Sequence, residues 1–429
     1  MSRILVLGAG KSGVASANFL AEREESVVLA DSNANPSLPF DLDDRVVRAF
    51  GAEDEVLLED VREIVLSPGV PMTIPLLQHA AARAIPVVGE IELAYRHLKG
   101  TVIAITGSNG KSTTTALIGE ILKVAGRRPI VAGNIGNPLI SAIDFESPRT
   151  YVLELSSFQL ETIDTFRADV ALLLNITPDH MDRYPNFGAY AAAKHRVFRN
   201  QDAGDTAILN TSVDYQPHAK TSRFSATDGD KADAYLDGDE MVLGERRIPR
   251  ASLRLEGNAN VENALAAWLA ARAVGIDDVD VQIAFGTFTG LPHRMVLVRE
   301  IDGVRWINDS KGTNVDATLK SLEGFDSSSV ILILGGKDKA GEFERMRELV
   351  QSKARTVLTI GKAAPRIAEA LDGAASIVQA GDMQHAIEWA RSNAKQGDVV
   401  LLSPACASFD QYRNFEHRGE HFEELVRSL

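Results

Sequence analysis

Val102-Ile103-Ala104-Ile105-Thr106-Gly107-Ser108-Asn109-Gly110-Lys111-Ser112-Thr113 runs an apolar, β-branched stretch into a glycine turn and then into a helix-forming segment. Strand, glycine loop and helix in that order form a polyphosphate cradle: glycines let the backbone approach the phosphates, and the helix amino terminus faces negative charge. Lys111 would reach the β- and γ-phosphates, and the hydroxyl of Ser112 or Thr113 would hold magnesium. Gly107, Ser108, Asn109, Gly110, Lys111, Ser112 and Thr113 are therefore read as an ATP site. Only Ser108 and Asn109 separate the two glycines, against four residues in the commoner phosphate loop.

Outward from this loop, short apolar runs alternate with amphipathic segments along the 429 residues: Ile4 to Leu7, Val27 to Ala30, Glu63 to Leu66, Tyr151 to Leu155, Val170 to Ile176, Val330 to Leu334 and Val399 to Leu402. That alternation predicts parallel sheets covered by helices, hence an α/β protein. Two glycine loops imply two first strands, so a domain is expected to begin near Gly100. A second boundary is expected in Gly286 to His293, where Gly290 and Pro292 follow the helical segment Asn260 to Val274. The expected division is 1–99, 100–288 and 289–429, with Rossmann-like outer domains and a central ATPase domain on a mainly parallel sheet.

Gly8-Ala9-Gly10-Lys11-Ser12-Gly13 repeats the strand, loop and helix order near the start, and Asp31 ends the next strand. Glycines there admit a diphosphate, and an acidic residue after the second strand can bind a ribose hydroxyl. A dehydrogenase would use the same features, but residues 1–99 are short for a full dinucleotide domain and no hydride-transfer group is evident. A substrate linked to UDP needs the same physical parts. Ser67-Pro68-Gly69 follows a strand at the sheet's carboxyl edge, where ligands bind in open α/β sheets, and reads equally as a simple turn.

Glu154 and His180 sit at the ends of strands predicted to neighbour the phosphate loop. Oxygen ligands suit magnesium, which favours Glu154 and leaves His180 either a ligand or a loop histidine. Lys194, in Ala191-Ala192-Ala193-Lys194-His195-Arg196, reads alone as a solvated helix lysine. Asn260 and Asn263 lie three apart on a helix, able to read an adenine edge or to cap. Beyond the second boundary, Arg294, Asp309, Lys311 and Thr313 offer groups for a transferring phosphoryl and for a carboxylate.

The Gly-x-x-Gly-Lys-Ser loop after Thr106, together with the motif order over nearly the whole chain, resembles the Mur ligase superfamily, which also includes folylpolyglutamate synthetases. The resemblance implies that Glu154 and His180 are metal ligands with Ser112, and that Lys194 is carbamylated, becoming a carboxylate that supports a second magnesium. It implies catalytic roles for Lys111, Glu154, His180 and Lys194, and ATP contacts from Asn260, Asn263, Arg294 and Asp309. For a UDP-linked substrate it implies Lys11, Ser12, Asp31, Ser32, Ser67, Pro68, Gly69, Asn134, Gln159 and His180. Asn308-Asp309-Ser310-Lys311-Gly312-Thr313-Asn314 and Leu402 to Phe415 look like the branch that takes D-glutamate, held by Lys311, Thr313, Lys339, Ser408 and Phe415. Phe415 would act through its backbone or serve as core. The family's Gly-Asp-Gly-Lys is here Gly336-Lys337-Asp338-Lys339, and Asn33 stands where some relatives carry a basic residue.

The expected reaction is ATP-dependent joining of D-glutamate to UDP-N-acetylmuramoyl-L-alanine through an acyl phosphate, with ATP and Mg2+ as cofactors. A folate-type polyglutamate ligase would not need the Gly8 to Gly13 domain, a dehydrogenase would not need Lys111, and a non-catalytic ATP binder would not need Glu154, His180 and Lys194. A formal charge of -14 argues against nucleic acid. With Cys406 the only cysteine, an internal disulfide is excluded and a thiol metal cluster is not expected. No secretory signal opens the sequence, and no apolar run approaches the roughly 20 residues of a membrane helix. A cytoplasmic protein, acting as a monomer without membrane insertion, is expected.

Overall fold

The computed structural model describes residues 2–255, 257–325, 327–338 and 341–429. They form three sheets. The first contains β1 (Arg3–Leu7), β2 (Val27–Asp31), β3 (Val47–Phe50), β4 (Val61–Leu66) and β5 (Val87–Gly89), in the order β3-β2-β1-β4-β5. All its pairings are parallel.

The second sheet has nine strands: β6 (Gly100–Thr106), β7 (Ile130–Gly133), β8 (Arg149–Glu154), β9 (Val170–Leu173), β10 (Thr206–Asn210), β11 (Lys220–Ser225), β12 (Ala234–Asp237), β13 (Glu240–Leu243) and β14 (Arg246–Pro249). β6 lies between β9 and β8, all parallel, while β12, β13 and β14 close one edge as an antiparallel meander. The third sheet holds β15 (Val296–Ile301), β16 (Val304–Asn308), β17 (Val330–Gly335), β18 (Ala354–Ile360), β19 (Ser376–Gly381) and β20 (Val399–Leu402), ordered β15-β16-β20-β17-β18-β19. Only β15 is antiparallel to its neighbour.

The apolar runs became strands because parallel strands are covered on both faces; β9 and β17 are buried at every position. The α/β class is as expected, and two predicted strand ends move. The run to Ile176 leaves the sheet at Leu173, because Asn175 turns towards the loop after β6, and the run to Leu155 ends at Glu154.

The chain divides into two compact units, Met1–Ile176 with Phe187–Thr289, and Thr177–Asn186 with Gly290–Leu429. In the first unit, one hydrophobic core runs continuously from the first sheet (Ile4, Val6, Leu29, Val65) through Leu93 and Ala94 to the second (Ala104, Leu153, Ala171, Leu209). Among the described residues no helix is long and apolar enough to cross a membrane.

Candidate functional site

The loop after β6 has the backbone that its glycines predict, with Gly107 at φ +155° and Gly110 at φ +84°. A side chain at Gly110 would meet the Asn263 Oδ1 at 2.3 Å, so glycine is required there for space as well as for conformation. Helix Lys111–Val124 starts at once, and its first intrahelical bond runs from Thr114 N–H to the Gly110 carbonyl. The amides of its first turn therefore lie at the loop, where a helix terminus favours anions.

Two ammonium groups converge on this loop. Lys111 Nζ donates to the carbonyls of Gly107 (2.8 Å) and Ser108 (2.9 Å), and Lys194 Nζ donates to Gly107 (2.7 Å). Lys194, on helix Phe187–His195, is 2% exposed and lies 4.6 Å from the centre of the Tyr190 ring. It is thus a buried cation at the phosphate loop rather than the solvated lysine its local sequence suggests. Tyr190 in turn shares a hydrogen bond with Ser108 through their hydroxyls at 3.0 Å.

Glu154 ends β8 beside the loop and is buried. Its Oε1 accepts from Asn134 Nδ2 at 2.7 Å, whereas Oε2 takes no hydrogen bond among the described residues. Buried carboxylate oxygens are ordinarily paired, so an unpaired one beside a helix terminus that opens with the buried hydroxyls of Ser112 and Thr113 fits a hard cation. Among the described residues there is no group of three or more His, Cys, Asp or Glu able to hold a metal by themselves. Magnesium characteristically takes one or two protein oxygens and fills its sphere with phosphate and water, so this donor set suits it.

Asn263 is buried and braces the loop: its Oδ1 accepts from Thr114 Oγ1 at 3.2 Å, and its Nδ2 donates to Asn260 Oδ1 at 3.2 Å. Asn175, which motif reading did not single out, contributes more. Its carbonyl accepts from Ser108 N–H (3.0 Å), its Oδ1 from Asn109 N–H (2.8 Å), and its Nδ2 donates to the Asn109 carbonyl (3.1 Å). Two amides expected to cradle phosphate are thereby turned to Asn175, leaving the helix terminus and Lys111 as the cradle. The one available signal was an asparagine just past a strand neighbouring the loop.

The loop after β1 has the same outline and the opposite charge. Gly8 has φ +94°, and a Cβ on Gly13 would lie 1.8 Å from the Gly8 carbonyl, which presses helix Lys11–Glu22 against the loop. Asp31 accepts from Ala9 N–H at 2.7 Å and from Asn33 N–H at 2.9 Å. Ser67 is buried and donates from Oγ to the Gly8 carbonyl, tying the turn Ser67-Pro68-Gly69 to the first loop. Lys11 is exposed; Ser12 and Ser32 lie at the same edge as partly buried and exposed residues respectively. In the same unit, Gln159 closes a capping box with Ser156 on helix Ser157–Glu161.

The second unit carries the remaining candidates. His180 adopts φ +57°, and its neighbour Asp179 accepts from Asn314 Nδ2 at 3.1 Å. Asp309 follows β16 and is buried, accepting from Ser321 Oγ and Ser403 Oγ at 2.7 Å each. Burial pushes its carboxyl up to about 6 against those hydroxyls and the Arg294 charge. Lys311 Nζ lies 3.8 Å above the Phe415 ring, a cation–π contact, while the Phe415 carbonyl accepts from Ser310 Oγ at 2.8 Å. Thr313 N–H donates to the Lys311 carbonyl at 2.8 Å, and Ser408 is buried where its carbonyl accepts from Tyr412 N–H. Lys339 lies outside the described residues. Asn308, missed in the sequence, is fully buried behind this loop and bonds His293, Gly419 and Glu423.

Three family models cover most of the chain: Mur ligase MurD-like, N-terminal domain (residues 2–89), Mur ligase middle domain (105–271) and Mur ligase, glutamate ligase domain (293–406). The UDP-N-acetylmuramoylalanine--D-glutamate ligase of Koribacter versatilis is 45% identical, over 100% of this chain and 97% of the relative. The protein of the same name from Pelotomaculum thermopropionicum is 43% identical, over 100% and 98%. Among solved structures, the MurF ligase of Thermotoga maritima in complex with ADP has TM-score 0.62 at 17% identity, covering 100% of this chain and 95% of that one. The UDP-N-acetylmuramate-alanine ligase of the same organism has TM-score 0.61 at 19% identity, with full coverage of both. At that identity these structures speak for the fold.

Proposed function

The chain belongs to the Mur ligase family, and on that footing we propose that it joins D-glutamate to UDP-N-acetylmuramoyl-L-alanine at the expense of ATP, in cytoplasmic peptidoglycan precursor synthesis. The observation that carries this reading is the loop after β6, where Lys111 and Lys194 converge on one carbonyl beside the buried Glu154, in a chain whose full length matches relatives bearing that name.

The alanyl carboxylate is a poor electrophile, so its oxygen first attacks the γ-phosphorus of ATP, giving an acyl phosphate and ADP. The amine of D-glutamate then attacks the acyl carbon, loses a proton, and expels inorganic phosphate as the amide forms. Lys111 and the helix terminus offset the negative charge that opposes the first attack. Bound magnesium supplies further charge neutralisation across the phosphates, and Ser112, Glu154 and His180 are the residues assigned to hold it, with Lys194 joining them once carbamylated.

Residues 1–99 are assigned to the UDP-linked substrate, through Lys11, Ser12, Asp31, Ser32 and Ser67 to Gly69, with Asn134 and Gln159 completing the contact from the central domain. Residues 100–288 are assigned to ATP, with Asn260 and Asn263 at adenine and Asn263 also bracing the loop. Residues 289–429 are assigned to D-glutamate, through Lys311, Thr313, Lys339, Ser408 and Phe415, with Arg294 and Asp309 contributing to nucleotide. A phosphate-release assay with ATP, UDP-N-acetylmuramoyl-L-alanine and a panel of amino acids tests the reading. Release is expected with D-glutamate; release with L-glutamate or a diamino acid alone would overturn it.

A further inference from the structure

Two buried carboxylates lie far from any role assigned so far. Glu90 and Glu92 open the short helix Glu90–Tyr95, directly between the first and second sheets, and are 2% and 0% exposed. Burying two acids within the first turn of one helix is costly unless each is fully hydrogen-bonded. Glu92 is bonded through both oxygens and Glu90 through one, its Oε2 taking no hydrogen bond among the described residues, and both reach the backbone of the central domain. Glu90 Oε1 accepts from Ile140 N–H at 2.7 Å. Glu92 accepts from the amides of Asp164 (2.8 Å), Thr165 (3.0 Å) and Phe166 (2.9 Å), and from the Thr165 hydroxyl.

The surroundings repeat the arrangement. Gly89 N–H donates to the Thr162 carbonyl at 3.0 Å, and any side chain at Gly89 would meet Thr162 Oγ1 at 2.2 Å. The Tyr95 ring packs edge-on to Phe166 at 5.2 Å, and the Arg23 guanidinium lies 3.6 Å from the Phe19 ring and 4.7 Å from Phe145 of the central domain. Burial alone would raise the Glu92 carboxyl, yet the Thr165 hydroxyl and the three amides outweigh it and hold it below its ordinary value. The ionised form is thus the bonded form.

The segments so held lead to the site. The stretch gripped by Glu90 runs back to Asn134, which donates to Glu154, and the stretch gripped by Glu92 follows the helix that carries Gln159. We propose that Glu90 and Glu92 are positioning residues of the ligase reaction: they clasp the domain that binds the UDP-linked substrate to the domain that binds ATP, and so fix the spacing at which the substrate carboxylate meets the γ-phosphate. The inference rests on the ligase reading above. Its energetic logic is that two half-sites on one rigid frame need no search for each other, whereas a small misplacement costs rate without costing affinity.

The test uses the full-length chain, with Glu92→Ala and Glu92→Gln measured beside wild type. Equilibrium binding of a non-hydrolysable ATP analogue and of UDP-N-acetylmuramoyl-L-alanine, each alone, is compared with kcat normalised to ATP-analogue stoichiometry. Amide hydrogen exchange is followed at Asp164 to Phe166. E92A is expected to exchange faster there, to bind each ligand within about twofold of wild type, and to lose about tenfold or more in kcat. E92Q, which keeps one carbonyl acceptor, is expected to recover part of that loss, with kcat about threefold below wild type. Faster exchange with unchanged kcat overturns the proposal, as does a loss of ligand binding that matches the loss of kcat. If E92A does not fold, E92Q decides: a kcat lowered about threefold with intact binding supports the clasp, and a wild-type kcat refutes it. Wild-type protein that binds both ligands but releases no phosphate with D-glutamate would sink the ligase reading, an outcome distinct from failure of the clasp alone.

Discussion

The two glycine loops of the first unit share a shape and differ in charge. Each follows the first strand of its sheet, bends at a glycine of positive φ and enters a helix. After β1 the loop amide of Ala9 is taken by the Asp31 carboxylate, and Lys11 points to solvent, so the local field is acidic. After β6 the Lys111 ammonium lies against the Gly107 and Ser108 carbonyls at the start of its helix, so the field is basic. Backbone geometry admits a nucleotide in either place; the side chains brought in from elsewhere decide which part of it is bound. An acid suits sugar and base hydroxyl or amide donors, and an ammonium group at a helix terminus suits a triphosphate.

The division can be broken at four points, in falling order of expected effect. Lys111→Ala removes charge at the second loop alone: turnover should fall about 1,000-fold, on the scale of losing one transition-state donor, with the affinity for UDP-N-acetylmuramoyl-L-alanine unchanged by calorimetry. An equal loss of that affinity would show that the loops do not divide the work. Asp31→Asn should weaken the UDP-linked substrate about tenfold, the scale of one charge-assisted hydrogen bond, while the KM for ATP stays put. Asn175→Ala removes the side-chain bonds to the Asn109 amide and carbonyl while the Ser108 amide keeps the main-chain carbonyl of residue 175, and should raise the KM for ATP several-fold, an effect of about 1 kcal/mol; an unchanged KM would show that the loop keeps its form without that brace.

The fourth point has the smallest expected effect on turnover and affinity and is read in stability instead; it concerns pH and the joint between the loops' domains. Burial pushes the Glu90 carboxyl up from 4.5 to about 7, against the amides of Ile140 and Leu139. The folded chain therefore holds a proton that the unfolded chain has released between those values, and raising the pH favours unfolding. Stability from this group is complete below about pH 4.5 and is lost as the pH rises through about 7, on the order of 3 kcal/mol in all. Glu90→Gln should flatten that part of the urea-denaturation profile of the first unit; an unaltered slope would place the titration elsewhere.

Much of this was legible in the sequence because it is local. The glycine loops, their strands and Lys111 lie in single short stretches, and the buried parallel strands announce themselves as apolar runs such as Val330 to Gly335. What was hidden depends on contacts across long separations. Lys194 looked solvated because the three residues before it are alanines, and the partner that holds it, the Gly107 carbonyl, lies far away in the sequence. Nothing local to Asn263 reveals that Gly110 packs against it. Asn175 fell inside an apolar run, and Glu90 and Glu92 carry no signal in their own stretch, since their partners lie in Leu139 to Ile140 and Asp164 to Phe166.

The central claim is that a carboxylate held by the first loop is phosphorylated by ATP held at the second. Substrate labelled with 18O in the alanyl carboxylate tests it directly, by mass spectrometry of the phosphate released during D-glutamate addition. Transfer through an acyl phosphate predicts one 18O atom carried into that phosphate; unlabelled phosphate alongside amide formation would contradict it.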